Sequence, residues 1–430
     1  MLSDRHAVLY REVRRKPEPH RTAPFPTCET AEVGIILLQG VSGASGLGGQ
    51  RLVRFAQFLE AKGRQPILLG VLPDGRAGVI ESDARTVAHG GPPIGPPAAF
   101  RHSTWWRSLS AAKRALLDWP DPKSQRRWYQ EATHLLATEL SGLECEVVVS
   151  SGPPWVAHRL GRDISRSSGT PWMPDYRDLW TNDIYYPHPE WRRTMESRLE
   201  RSWLRRTTQA TSVTPGLCCD LENLAPWLTC HTIWNGYSEE ELGLVPLRDL
   251  GPGPHVVYAG NLYMGKGDPE PVLDAFATSP VLREATLHLV VSPTPQLQAA
   301  VTSRDLQARV VLHGRVDRTE ALSIVKSSDV ALVIGWNDPR ARDNIGGKIF
   351  ELIGLRKPIV ALVYPDGIQA KTVDRYGFGH VANRPREIAA AIGDLLQRSA
   401  QGETPDEEVV KQFDRRIQYE AWERLLVSRV

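Results

Sequence analysis

The sequence predicts an α/β protein built as two doubly wound, Rossmann-like domains in tandem, and three observations carry that prediction. From Val33 onward short apolar runs alternate with helix-length segments, the pattern of parallel strands joined by crossover helices. A Glu-, Gly- and Pro-rich stretch at 237–254 interrupts the alternation once, after which it begins again. The chain has 430 residues, more than one hydrophobic core ordinarily holds.

Residues 1–32 are basic, contain prolines and lack the apolar centre of a signal peptide, so they read as a flexible tail. The first domain, 33–236, opens with the strand "VGIILL" and passes through a helix near 49–62 to the strand "PILLGVL". "CEVVVS", a helix from Trp155, "TPWMPDY", a long helix around 190–206, "ATSV" and "HTIW" continue the alternation. The stretch 237–254 is the linker. The second domain, 255–410, contains the strands "HVVYAG", "TLHLVVS", "RVVLHG", "DVALVIG", "PIVALVY" and "GHVAN". The last residues carry apolar side chains at helical spacing, which predicts a helix over 411–430, packed back on the N-terminal domain.

Composition narrows the partners. A net charge of +2 does not suit a chain whose whole surface meets nucleic acid or membrane. The five cysteines are odd in number, lack metal-ligand spacing and fit a reducing cytosol. No run approaches the roughly 18 apolar residues of a spanning helix, so the expectation is a cytoplasmic protein. Trp105, Trp106, Trp119 and Trp128 are interleaved with Arg107, Lys113, Arg114, Lys123, Arg126 and Arg127. The reading preferred is core tryptophans with a solvated basic face, which leaves at most weak peripheral membrane contact; a membrane-interface segment is the alternative.

Open α/β sheets bind ligands beyond the carboxyl ends of their strands, so glycines placed directly after strands mark candidate sites. "LLQGVSGASGLGGQR" follows the first strand, "YAGNLYMGKGDP" opens the second domain, and "IGWNDPRARDNIGGK" follows the strand ending near Ile334. In the last, Asn344, Gly346 and Gly347 form a turn into a helix beginning about Gly347 or Lys348. The unpaired amides there and the positive dipole end favour a phosphate, and Lys348 adds a full charge. Glu351, one turn on, can accept two hydrogen bonds from a ribose diol, or simply favour the helix start. Lys266, between two glycines and after Gly260 and Asn261, is placed to neutralise a phosphate that approaches the backbone closely; a solvated lysine is the alternative. Tyr176, Arg177 and Asp178 end a strand of the first domain. Asp178 there would orient a sugar or receive a proton and Arg177 would hold an anion, unless the two form a pair that fixes the loop. For His158 packing is favoured over catalysis.

The ordered motifs "GLGGQR", "PDPKSQRRW", "SSGPPWVAH", "PWMPDYRDLWT", "YAGNLYMGKGDP", "DVALVIG" and "GGKIFELIGLRKPIVAL" resemble bacterial retaining glycosyltransferases of family four, over nearly the whole chain from about Val33. The resemblance implies the GT-B fold, in which two Rossmann-like domains face across a cleft and the C-terminal one holds a nucleoside-diphosphate sugar. The family's Glu-x7-Glu element falls on Asp343 and Glu351, with Asp in the first position. It implies Glu351 on the ribose, Asp343 nearer the transferred sugar, Lys266 on the diphosphate with the amides around Gly346 and Gly347, and Gly48 and Gly49 in a loop approaching donor and acceptor. Relatives with a cleft histidine have it where this chain has "YRDLW". Such enzymes generally work without a bound metal or other cofactor, and no Asp-x-Asp metal site stands in a suitable loop.

The expected activity is therefore transfer of a hexose-type sugar, with retention, to a hydroxyl of a small-molecule or lipid-linked saccharide acceptor, without nucleic acid. Two alternatives share the fold: a nucleotide-sugar 2-epimerase, which needs no acceptor but should gather more acids and histidines around the sugar, and a scaffold that binds without turnover.

Overall fold

In the computed structural model, residues 34–39, 46–71, 77–80, 123–138, 140, 144–262 and 266–427 are described. The expected tail, Trp105, Trp106, Trp119 and the loop between the first strand and helix lie outside them. The N-terminal domain runs β1 (Gly34–Gln39), α1 (Gly46–Ala61), β2 (Pro66–Val71), β3 (Ala77–Val79), α2 (Lys123–Thr138), β4 (Cys145–Gly152), α3 (Val156–Ser168), β5 (Trp172–Tyr176), α4 (Glu190–Leu204), β6 (Gln209–Ser212), α5 (Pro215–Leu224) and β7 (Thr229–Thr232). A short helix, α6 (Glu239–Gly243), lies between the domains. The C-terminal domain follows as β8 (His255–Ala259), α7 (Glu270–Thr278), β9 (Thr286–Val290), α8 (Pro295–Thr302), β10 (Val310–Leu312), α9 (Arg318–Ser327), β11 (Val330–Ile334), α10 (Lys348–Gly354), β12 (Ile359–Leu362), α11 (Ile368–Arg375), β13 (Gly379–Val381) and α12 (Pro385–Ala400). The chain closes with α13 (Glu407–Lys411) and α14 (Arg415–Val427).

The strands form two sheets, ordered β3-β2-β1-β4-β5-β6-β7 and β10-β9-β8-β11-β12-β13. Every neighbouring pair is parallel except the β2–β3 hairpin edge. Parallel strands covered by helices on both faces are apolar throughout rather than alternating, and β1 is buried at all six positions. Each sheet accordingly has a core on either face. The hairpin was not anticipated because β3, "AGV", has only three residues and no period to read. β7 sits two residues earlier than "HTIW" suggests: Ile233 packs with the core beneath α14, and Trp234 meets Phe350 and Phe413.

The chain crosses between domains twice, and the crossings are tied together. Tyr237 N–H donates to Phe413 O and Arg415 N–H to Tyr237 O, at 3.0 and 2.7 Å. From there α14 lies against α1, with the Phe55 and Trp422 rings stacked 4.3 Å apart.

Arg51 on α1 is buried and grips Asp175 on β5 with two parallel bonds of 3.0 Å, from Nε to Oδ2 and Nη2 to Oδ1. Ser151 and Thr211 hydroxyls donate to the same carboxylate, each at 2.8 Å. Arg51 also donates to Ile233 O and Asn235 Oδ1 and lies over the Trp422 ring. Every charge in this knot is matched, and removing one partner of such a pair costs about 3–5 kcal/mol. Arg51→Met should destabilise the protein by that amount in urea denaturation, whereas Arg51→Met with Asp175→Leu should recover much of the loss. A single-variant loss below about 1 kcal/mol would show that the pair behaves like a surface contact.

Candidate functional site

Two adjoining cavities open between the domains. The larger, about 1190 Å³, follows the carboxyl ends of β8, β9 and β11 and is lined by Gly260, Asn261, Lys266, Asn344, Gly346, Gly347, Lys348 and Glu351 among others. The smaller, about 380 Å³, is lined by Arg177, Asp178, Asp183, Asp220, Arg342 and Asp343 among others, and shares Asn344 with the first.

In the larger cavity α10 begins at Lys348, as the glycine turn predicts, but it runs only seven residues. Its dipole is short, so the ammonium of Lys348 supplies most of the positive charge. That ammonium is open to the cavity, and its Nζ lies 3.1 Å from where a Cβ on Gly260 would sit. A side chain there would also strike the Tyr258 hydroxyl, which donates to Asn261 O. The protein around Lys348 lowers its pKa through lost hydration, against the raising effect of Glu351. Glu351 itself is largely buried and takes hydrogen bonds from Arg318 Nε and Nη2, both on Oε1, at 3.2 and 2.7 Å. Arg318 lies 3.3 Å from Glu241 on α6, which also pairs with Arg54 on α1 and Arg415 on α14. The cavity's carboxylate is thereby held from the hinge.

Asp343 and Glu351, eight positions apart, line different cavities. The Asp343 carboxylate rests on the first turn of α5: a Cβ on Gly216 would fall 1.8 Å from its Oδ1. Thr214, the N-cap of α5, donates from Oγ1 to Asp343 O at 3.0 Å, and Arg342 Nε donates to Asp343 Oδ2 at 2.8 Å. Only glycine at 216 permits this contact between the domains.

On the opposite wall Asp178 is open to the cavity. Its pKa is raised, first by the surrounding protein and further by Asp183, against Arg177. Arg177 lines the same cavity, with its Nε donating to Gly152 O at 3.2 Å and its Nη2 to Pro153 O. It fixes the loop through backbone carbonyls rather than through an ion pair with Asp178. Gly48 and Gly49, expected in a loop, belong to the first turns of α1. His158 is buried among Trp155, Trp172 and Tyr176, with Nδ1 2.8 Å from Ser150 Oγ. Burial holds it neutral, its pKa pushed down to about 3. Trp128 is buried too, donating to Gly70 O.

The loop from Arg177 to His188 is shaped by α4. Glu196 accepts from Trp180 Nε1, Tyr186 OH and Arg192 Nε, and Glu200 accepts from Thr181 N–H and Oγ1. The residues sequence reasoning missed fall into two groups. Arg315 and Arg318 follow Gly314, a glycine just past β10 that the strand-then-glycine rule would have found. Trp336 lies in the glycine-bearing loop after β11 that the same rule marks; Tyr185, Asp183, Asp220 and Gly216 carry no local signal, and the docking of the domains brings Tyr185 to Trp336 and Gly216 to Asp343.

No protein-family model and no curated protein matches the chain in sequence. Solved structures match in shape. Sucrose-phosphate synthase from Thermosynechococcus elongatus superposes with a TM-score of 0.63 at 18% identity, over 92% of this chain and 98% of that one. HepE from Anabaena, in complex with UDP-glucose, gives 0.58 at 15%, over 92% and 100%. UDP-GlcNAc 2-epimerase from Methanocaldococcus jannaschii gives 0.53 at 12%, over 92% and 100%. Such a likeness establishes the fold: two Rossmann-like domains facing across a cleft, the GT-B architecture. Among the described residues no helix is long and apolar enough to cross a membrane.

Two buried groups set opposite pH limits on the loop's support. Burial raises the Glu200 pKa from 4.5 to about 7, so the native state holds a proton the unfolded state releases; stability from this group is full below 4.5 and falls as pH rises to about 7. His158, lowered from 6.5 to about 3, works the other way, its contribution falling as pH drops from 6.5. Glu200→Gln should therefore flatten the stability decline between pH 5 and 7 in thermal denaturation, and an unchanged slope would refute a protonated Glu200.

Proposed function

We propose that the protein is a glycosyltransferase that moves a sugar from a nucleoside-diphosphate donor to an acceptor hydroxyl with retention, without a metal. The observation that carries this reading is the larger cavity, where Lys266, Lys348 and Glu351 converge at the carboxyl edge of the C-terminal sheet, the place where Rossmann-like sheets bind nucleotides. The lysines face the diphosphate and Glu351 Oε2 the ribose diol, Oε1 being held by Arg318. The donor sugar then points toward the smaller cavity, with Asp343 and Asp178 beside it. Leaving-group charge is met by Lys266 and Lys348. The bond from the anomeric carbon to the diphosphate oxygen breaks as the acceptor oxygen bonds on the same face, and the acceptor proton passes to the departing oxygen. HepE's complex with UDP-glucose supports the donor class. The epimerase likeness keeps the second reading in play, but a separate cavity beside the donor site favours an acceptor.

The deciding assay incubates the protein with a panel of nucleoside-diphosphate sugars, with and without saccharide acceptors. Acceptor-dependent release of nucleoside diphosphate supports transfer; release of free epimerised sugar without acceptor establishes the epimerase. Full activity in a chelator is expected. Lys266→Ala should weaken binding of the diphosphate about tenfold or more, with little change for the bare nucleoside, by calorimetry. Glu351→Gln should mainly reduce donor affinity, by about tenfold for ~1.4 kcal/mol, and Asp343→Asn mainly single-turnover rate. Normal transfer by Asp343→Asn together with unchanged donor binding by Glu351→Gln would remove this cavity as the donor site.

A further inference from the structure

Lys266 does not project freely into the larger cavity. Its Nζ stands 3.9 Å from the centre of the Tyr185 ring and 4.9 Å from that of Trp336. The two rings are themselves stacked, 5.9 Å apart and inclined by 21°. Tyr185 comes from the N-terminal domain, on the loop that Glu196 and Glu200 shape, and its N–H donates to Asp183 Oδ1 at 2.9 Å. Trp336 comes from the C-terminal domain, two residues past β11, and carries Arg340 on its ring at 4.3 Å. Asp183 adds its field to the same ammonium. Both rings and the lysine line one cavity.

A cation over aromatic faces is held electrostatically by the rings, and a lysine restrained before binding loses less rotamer freedom when a ligand takes it. We propose that Tyr185 is a positioning residue for the donor diphosphate: with Trp336 it holds Lys266 at the cavity wall, and because the two rings belong to different domains, it does so only when the cleft is closed. The inference rests on the donor reading above and adds to it a residue from the acceptor-side domain that governs a donor-side cation.

The test is calorimetric titration with UDP, ADP, GDP and dTDP, and with the matching nucleosides. Wild type is compared with Tyr185→Ala, Tyr185→Phe, Lys266→Ala and the Tyr185→Ala/Lys266→Ala double variant. Tyr185 is 44% exposed, so its truncation should leave the fold intact, which a melting curve checks. Tyr185→Ala should weaken the preferred diphosphate about threefold to tenfold, the range that one immobilised side chain represents. The nucleoside should be unaffected, Tyr185→Phe should restore the affinity, and Tyr185→Ala should add nothing once Lys266 is gone. Unchanged or tighter diphosphate binding by Tyr185→Ala overturns the proposal, as does an equal loss in the Lys266→Ala background. Absence of diphosphate binding by the wild type would instead bring down the donor reading, and this inference with it.

Discussion

The buried pair of Arg51 and Asp175 organises the N-terminal half of the molecule. An ion pair stripped of water gains little unless its remaining hydrogen-bonding capacity is met, and here Ser151, Thr211, Asn235 and the Ile233 carbonyl meet it. Those partners come from β4, β6 and the chain leaving β7, so one guanidinium registers α1 against neighbouring strands and the start of the hinge. Tyr419 donates to Arg51 O, and Trp422 covers the guanidinium. The C-terminal helix thereby becomes part of the domain it returns to.

From that anchored base, two devices place the cleft-lining groups. On one wall, the buried carboxylates of α4 gather the indole of Trp180 and the hydroxyls of Tyr186 and Thr181, which sets the course of the loop bearing Asp178, Asp183 and Tyr185. Burying two acids on a helix is costly, and the cost is offset because each accepts several bonds. At the hinge, Glu241 faces Arg54, Arg318 and Arg415 at once. The first belongs to the N-terminal domain, the second to the C-terminal domain and the third to the returning chain. Since Arg318 also holds Glu351, the carboxylate proposed for the ribose is linked to the geometry between the domains.

The cavities differ in charge in a way that suits a division of labour. Cationic side chains face the larger one, two of them on glycine-flanked loops that let a ligand come close to the backbone. The smaller one sets four carboxylates against three guanidiniums, of which Arg342 is paired with Asp343, Arg340 with Asp338, and Arg177 is bonded to backbone carbonyls. Asp220 is raised by lost hydration and by Asp343, against Arg342, a sign that acids crowd this wall. The proposed donor site makes use of such a boundary, with anion-stabilising groups behind the leaving phosphate and acids near the anomeric carbon, and the 2-epimerase alternative calls for acids at the same place.

The two-sheet alternation and the helix at Lys348 were legible in the amino-acid sequence, because apolar period and strand-end glycines are local signals with local causes. Lys266 and Lys348 also carry local signals, the one among glycines after β8 and the other at the glycine turn that opens α10, whereas Arg315 and Arg318 were not read. What the chain alone did not reveal depends on distance in space. Arg177 reads as an anion holder, and its bonds to the carbonyls of Gly152 and Pro153 have no local signal. Gly48 and Gly49 read as loop, but the following amphipathic residues draw them into α1. Asp343 and Glu351 seemed two ends of one motif; the contact of Asp343 with Gly216 on the other domain separates them into two cavities. Tyr185, Trp336 and Lys266 are far apart in sequence and share no pattern, so only the closure of one domain on the other could bring an ammonium between two rings.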